Sequence, residues 1–229
     1  MGLAVPIELE QIAAARRLHQ RLDQWQSIDK ALASLALQFP GFSLEESLLK
    51  ATCVNALYGT NVLAIHRLAK HITEVLKNVD LISAGPELVE ELAVPPRGHG
   101  KVHRHHSFAS KFAHFFIDSE RFPIKDSYAV EMVKFHLGLK SMEIDPKRPY
   151  VAFWKNHRRL KEELSFSVSN PDLDHYLWIA GLYMKYRKNT QADINREVHD
   201  LFANGDTCIT ADLADLVPNI TYSVLHSHG

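Results

Sequence analysis

Residues that start or stop helices cut this chain at short intervals, and between them the apolar residues recur with helical period. That punctuation constrains the fold more than any other feature. Glu8 to Gln26 reads as an amphipathic helix with Leu9, Ile12, Ala13, Leu18, Leu22 and Trp25 near one face. Ser27 to Phe39 continues as a second helix or a bend of the first, and Pro40-Gly41 ends it. Ser43-Leu44-Glu45-Glu46 is a capping box, with Phe42 as its staple, opening a helix that Gly59 closes after Tyr58. Thr60 or Asn61 caps Val62 to Lys77, with Leu63, Leu68, Ile72, Val75 and Leu76 expected inward. Pro86 starts a short helix to Leu92, and Pro149 starts a long one, Tyr150 to about Phe166. Asn170-Pro171-Asp172 opens Leu173 to Arg187, Thr190 caps Gln191 to Phe202, and Thr210 caps Ala211 to Leu216. There is no internal repeat, and short pieces near Thr221 are the nearest approach to a strand. The expected class is all-α, with helices joined by short loops.

Composition narrows what such a chain does. An apolar content of 46% over 229 residues is enough to bury a core as one large domain or two small lobes. Against 26 bases stand 27 acids, so no global basic excess points to nucleic acid, and any such contact must use a local patch. Cys53 and Cys208 read as reduced thiols of a cytoplasmic protein. No secretory leader, myristoyl signal or membrane-length apolar run is expected.

Most of the chemistry lies in Lys101 to Gly138. A basic, His-rich approach leads into an apolar helix, Ser107 to Ile117, which carries Lys111 among Phe108, Phe112, Phe115 and Phe116. A lysine in apolar surroundings loses hydration, its pKa falls, and it becomes a candidate amine nucleophile for Schiff-base chemistry. After the turn Asp118 to Arg121, Pro123 fixes the backbone and Asp126 stands as N-cap of a second helix, Ser127 to Leu137.

A lysine on one helix, a turn, then Pro-Ile-Lys-Asp opening the next helix resembles the helix-hairpin-helix DNA glycosylases. The pattern SFASKF…FPIKDS is most similar to bacterial 8-oxoguanine-glycosylase-like proteins. The resemblance covers roughly a sixth of the chain specifically, with a loosely similar helical scaffold. Two departures stand out. His105-His106-Ser107-Phe108-Ala109-Ser110 replaces the Leu-Pro-Gly-Val-Gly hairpin, and the lysine-to-aspartate spacing is a few residues short. The resemblance implies a single two-lobed helical domain, with 1–40 plus 139–229 as one lobe and 41–138 as the other. It implies Lys111 and Asp126 as catalytic residues, damaged duplex DNA as partner, an oxidised purine as target, and a monomer. Lys101, Arg104, His105, His106, Ser107 and Ser110 would contact the DNA backbone, and Phe108, Tyr128 and Trp178 the flipped base. The mechanism calls for no cofactor, and two cysteines cannot hold the four-thiolate iron–sulfur cluster of some relatives. The same scaffold without chemistry would be a binding or interaction module.

Other side chains have plainer readings. His99, His103, His105 and His106 have spacings that fit one zinc ion, but with no cysteine nearby they read as a solvated or phosphate-contacting segment, and no metal is expected. The basic run Lys155 to Lys161 reads as a solvated helix face, because Glu162 and Glu163 follow it. Of Tyr176, Trp178, Tyr183 and Tyr186, one is expected beside a pocket and the rest in the core. Asp172 and Asp174 read as helix caps, and Ser107 and Ser110 lack the context of a serine nucleophile.

Overall fold

The computed structural model describes residues 2–96, 104–140 and 147–217. The chain is all-α. Among the described residues there are eleven α-helices and no strand. They are α1 (Leu9–His19), α2 (Asp23–Gln38), α3 (Leu44–Leu57), α4 (Ile65–Leu76), α5 (Glu87–Leu92), α6 (His106–Phe116), α7 (Ser127–Leu137), α8 (Pro149–Glu162), α9 (Asn170–Lys188), α10 (Arg196–Phe202) and α11 (Thr207–Leu216). No described helix is long and apolar enough to cross a membrane.

The local start signals act as their chemistry requires. Ser43 Oγ accepts the Glu46 N–H while a Glu46 carboxylate oxygen accepts the Ser43 N–H at 2.9 Å, closing the capping box. Asp126 accepts the Ala129 N–H at 2.8 Å at the head of α7. Between α3 and α4 the backbone turns through left-handed Gly59 and Asn61, and the Asn55 side chain bonds Thr60 Oγ1, the Val62 N–H and the Val62 carbonyl.

Several boundaries differ from the sequence reading. The first helix stops at His19, and a three-residue link, Gln20 to Leu22, precedes α2. Leu22 is thereby released to become fully buried. Leu9 and Leu63, expected inward, are exposed, Leu63 by 98%. Leu63 lies in the link before α4, whose first residue is Ile65. Thr190 and Thr210 cap nothing. Asn195 and Asp206, whose side-chain oxygens accept the first-turn N–H groups, take the N-cap positions of α10 and α11. The strand-like pieces near Thr221 lie outside the described residues.

Helices α1, α7, α9 and α11 pack together through α1 on α9, α1 on α11 and α7 on α9. Helices α2 to α6 form a second group, and α8 touches α5 and α7. α2 therefore packs on α3 and α6, and α7 on α8 and α9. One continuous apolar core runs through both groups, from Ile7 and Leu18 through Phe108, Phe112 and Phe153 to Leu216.

Candidate functional site

A partly open cavity of about 520 Å³ lies where α1, α2, α6, α7 and α9 approach one another. Lys111 and Asp126 both line it. Lys111 is 5% exposed and donates to Ser107 Oγ one turn earlier, at 3.0 Å. Its ammonium also stands 5.4 Å from the centre of the Tyr58 ring. Burial pushes the Lys111 pKa down. Asp126 and Asp174 oppose that shift, and the Lys125 charge adds to it. Burial likewise raises the Asp126 pKa, against the attraction of Lys111 and the N–H groups of the α7 first turn. Asp126 keeps partial accessibility, which it owes to the cavity it lines. No direct ion pair joins the two side chains, but each charge shifts the pKa of the other.

Asp174 is one of the site residues that the sequence did not reveal. It caps nothing; it lies within α9, 5% exposed, on the cavity wall. Its Oδ2 accepts the Ile124 N–H at 2.9 Å, fixing the Pro-Ile-Lys segment that delivers Asp126. His114 Nδ1 stands 3.5 Å and His157 Nε2 3.3 Å from its oxygens, while Oδ1 has no hydrogen-bond donor. His114 donates through Nδ1 to the Phe122 carbonyl at 3.1 Å, and burial holds its pKa below that of a free histidine. A second wall joins Trp25, Tyr58, Trp178, His19, His175 and Asp29. The Trp25 and Trp178 rings lie 4.8 Å apart, and the Trp25 indole N–H is buried without an acceptor. His19 and His175 stack at 3.8 Å, and Asp29 Oδ2 lies 3.5 and 3.6 Å from their Nε2 atoms. Burial first, and then the neighbouring His175, push the His19 pKa down to about 4.

The remaining expected site residues fall in different places. Ser107, Tyr128 and Trp178 line the cavity with Lys111. Phe108 does not. It is 1% exposed and stacks on Phe112 in the core, a correction to its base-pocket role. His106 is buried against Glu90, 2.6 Å from its carboxylate, and Ser110 is fully buried, accepting the Lys125 N–H and donating to the Ser107 carbonyl. Both therefore serve as internal struts in this structure, Ser110 with no exposed surface and His106 with Nε2 committed to Glu90. His105 is the N-cap residue of α6, its N–H bonded to the Ala93 carbonyl. Arg104 is exposed and donates to the Lys147 carbonyl. Lys101, His99 and His103 lie outside the described residues. Tyr176 is in the core, and Tyr183 and Tyr186 pack against Phe202, so of the four aromatic residues on α9 Trp178 reaches the cavity. In the basic run of α8, Arg158 and Arg159 pair with Glu162 and Glu163.

Residues 9–120 match a family model described as an N-terminal domain, HI_0787_N. The chain is also similar to an uncharacterized protein of Haemophilus influenzae, 36% identical over 131 residues. That alignment covers 56% of this chain and 62% of the relative, so the chain spans less than two thirds of the relative's length. No solved structure matches the chain. The family match takes in His19, Asp29 and Lys111 and stops before Asp126, Asp174 and His175.

Proposed function

We propose that this protein is a base-excision DNA glycosylase with lyase activity, built on the helix-hairpin-helix type of scaffold and acting on an oxidised purine of the 8-oxoguanine kind. One observation carries the reading: a dehydrated lysine and a helix-capping aspartate line the same cavity without neutralising each other in a direct ion pair. The volume of about 520 Å³ falls in the range of small-ligand pockets, roughly 300–1,000 Å³. Trp25, Trp178 and Tyr58 give it the aromatic surface on which an extrahelical base stacks.

In this reading Lys111 Nζ, as the neutral amine, attacks C1′ of the turned-out nucleotide. The bond from C1′ to the base breaks, the base leaves with the electron pair, and it takes up a proton. Asp126 stabilises the positive charge that develops on the sugar. Opening of the sugar ring leaves an iminium between C1′ and Nζ. Loss of a C2′ proton then expels the 3′ phosphate by β-elimination. Asp174 holds the Ile124 backbone and so fixes the position from which Asp126 acts.

Borohydride reduction tests this directly, because it freezes the iminium as a stable adduct. Duplexes carrying 8-oxoguanine or an abasic site are expected to be captured by the full chain and not by Lys111→Gln. Absence of an adduct on both substrates, with DNA still bound, would make the protein a binding module and end the enzyme reading.

A further inference from the structure

We propose that His19, Asp29 and His175 form a binding site for a divalent transition-metal ion of the zinc class in the wall of this cavity. The three residues come from α1, α2 and α9, so only the folded chain brings them together. Their ligand atoms all lie within 4.8 Å of one another. Asp29 Oδ2 is 3.5 Å from His19 Nε2 and 3.6 Å from His175 Nε2. Around a tetrahedral ion with bonds near 2.1 Å, neighbouring ligand atoms stand about 3.4 Å apart, so these two edges already have the required length. The two ring planes, now 20° apart, must unstack to a much wider angle before both in-plane nitrogen lone pairs meet one ion, so metal binding would separate the rings.

The surroundings support the ligands as an outer shell does. Tyr58 Oη donates to Asp29 Oδ1 at 3.2 Å, which leaves Oδ2 for the ion. The Gln26 amide nitrogen lies 3.1 Å from His19 Nδ1 and donates to the His19 carbonyl at 3.4 Å, so a metal-bound imidazole, which carries Nδ1–H, requires that amide to move away. Two imidazoles and one carboxylate suit zinc and its neighbours. Magnesium and calcium, which take oxygen ligands, are disfavoured. All three ligands line the cavity, so the remaining coordination positions face it and take water or an anionic oxygen such as a phosphate. The lysine chemistry proposed above needs no metal, so this site stands or falls separately from it.

The test uses untagged full-length protein stripped with a chelator and titrated with zinc chloride against a chromophoric competitor. One ion per chain is expected. His175→Ala and Asp29→Asn should each weaken binding by about 100-fold or more, and exposed His66→Ala should leave it unchanged. Cobalt(II) bound in place of zinc should show the visible absorption of a low-symmetry nitrogen–oxygen site, and lose it in the same two variants. Circular dichroism checks their folding, and should one fail to fold the other decides. Unchanged affinity in the folded variants, or no binding by the parent protein, overturns the proposal.

Discussion

Lys50 and Lys111 lose their hydration in different company. Lys50 donates to the Gly41 carbonyl at 2.6 Å and lies over the Phe42 ring at 4.1 Å, so its ammonium is enclosed by backbone and apolar rings. Lys111 has a single serine hydroxyl as its hydrogen-bond partner and borders a cavity. Burial pushes the pKa of both down, and Lys111 has a cavity beside it with room for a reacting partner. With formaldehyde and cyanoborohydride near pH 8, Lys111 should therefore be methylated well before Lys50, as read by peptide mass mapping; the reverse order would count against an accessible amine. Asp126 separates structural from chemical roles. Asparagine caps a helix about as well as aspartate, so Asp126→Asn should keep the thermal midpoint close to that of the parent, whereas Asp126→Ala should lose roughly 1 kcal/mol. Both should fall far below the parent in borohydride capture. Equal capture by Asp126→Asn would mean that the carboxylate serves only as a cap.

Among the helices, the crossing of α7 on α9 sets where Asp126 stands. Gly181 makes that crossing close: a Cβ there would meet Tyr128 Cβ at 2.9 Å, the Tyr128 carbonyl at 3.2 Å and Met132 Cγ at 3.3 Å. Alanine favours a helix interior over glycine by about 1 kcal/mol, but overpacking a rigid contact costs about 1–3 kcal/mol. Gly181→Ala should thus be destabilising by urea midpoint and should shift Tyr128 and the head of α7, lowering capture. Gly205→Ala, with nothing within 4 Å, should do neither. Signals held within a few residues were legible from sequence. The Ser43 box, the Asp126 cap and the proline start of α8 depend on neighbours three or four positions away. The end of α1 at His19 has no glycine or proline to mark it; packing decides it. Thr190 and Thr210 lost to Asn195 and Asp206 because a tract rich in Asn, Asp and Thr offers several caps, and tertiary contacts choose among them. Lys111 and Asp126 could be paired because one short motif holds both. Asp174, His19, Asp29 and His175 could not, since nothing local in their sequence brings α1, α2 and α9 to one cavity.

Across the whole molecule, one buried hydrogen-bond chain ties distant segments together and makes the fold sensitive to acid. Gln11 Nε2 on α1 bonds both the Leu216 carbonyl at the end of α11 and Tyr176 Oη on α9. Tyr176 Oη meets His136 Nε2 on α7 at 3.0 Å, and His136 Nδ1 meets the Val5 carbonyl at 2.8 Å. The His136 carbonyl in turn accepts the Ala4 and Val5 N–H groups. With His136 neutral, each link has one donor and one acceptor: Nδ1–H gives to Val5, and Nε2 accepts from Tyr176. Burial pushes the His136 pKa from 6.5 down to about 4, against the pull of the Val5 carbonyl. The folded state thus refuses a proton that the unfolded chain accepts. Between those two values the unfolded chain binds more protons, so stability is full above about pH 6.5 and is lost as pH falls toward 4. For this one group the loss is on the order of 3 kcal/mol, and His106 and His114, also lowered chiefly by burial, act in the same direction. His136→Gln cannot titrate. It should be less stable than the parent at pH 7.5, because Tyr176 and Val5 lose the imidazole that joins them, yet its urea midpoint should decline less steeply between pH 6.5 and 4. Parallel slopes for parent and variant would place the acid sensitivity elsewhere in the molecule and leave this chain as a purely structural tie.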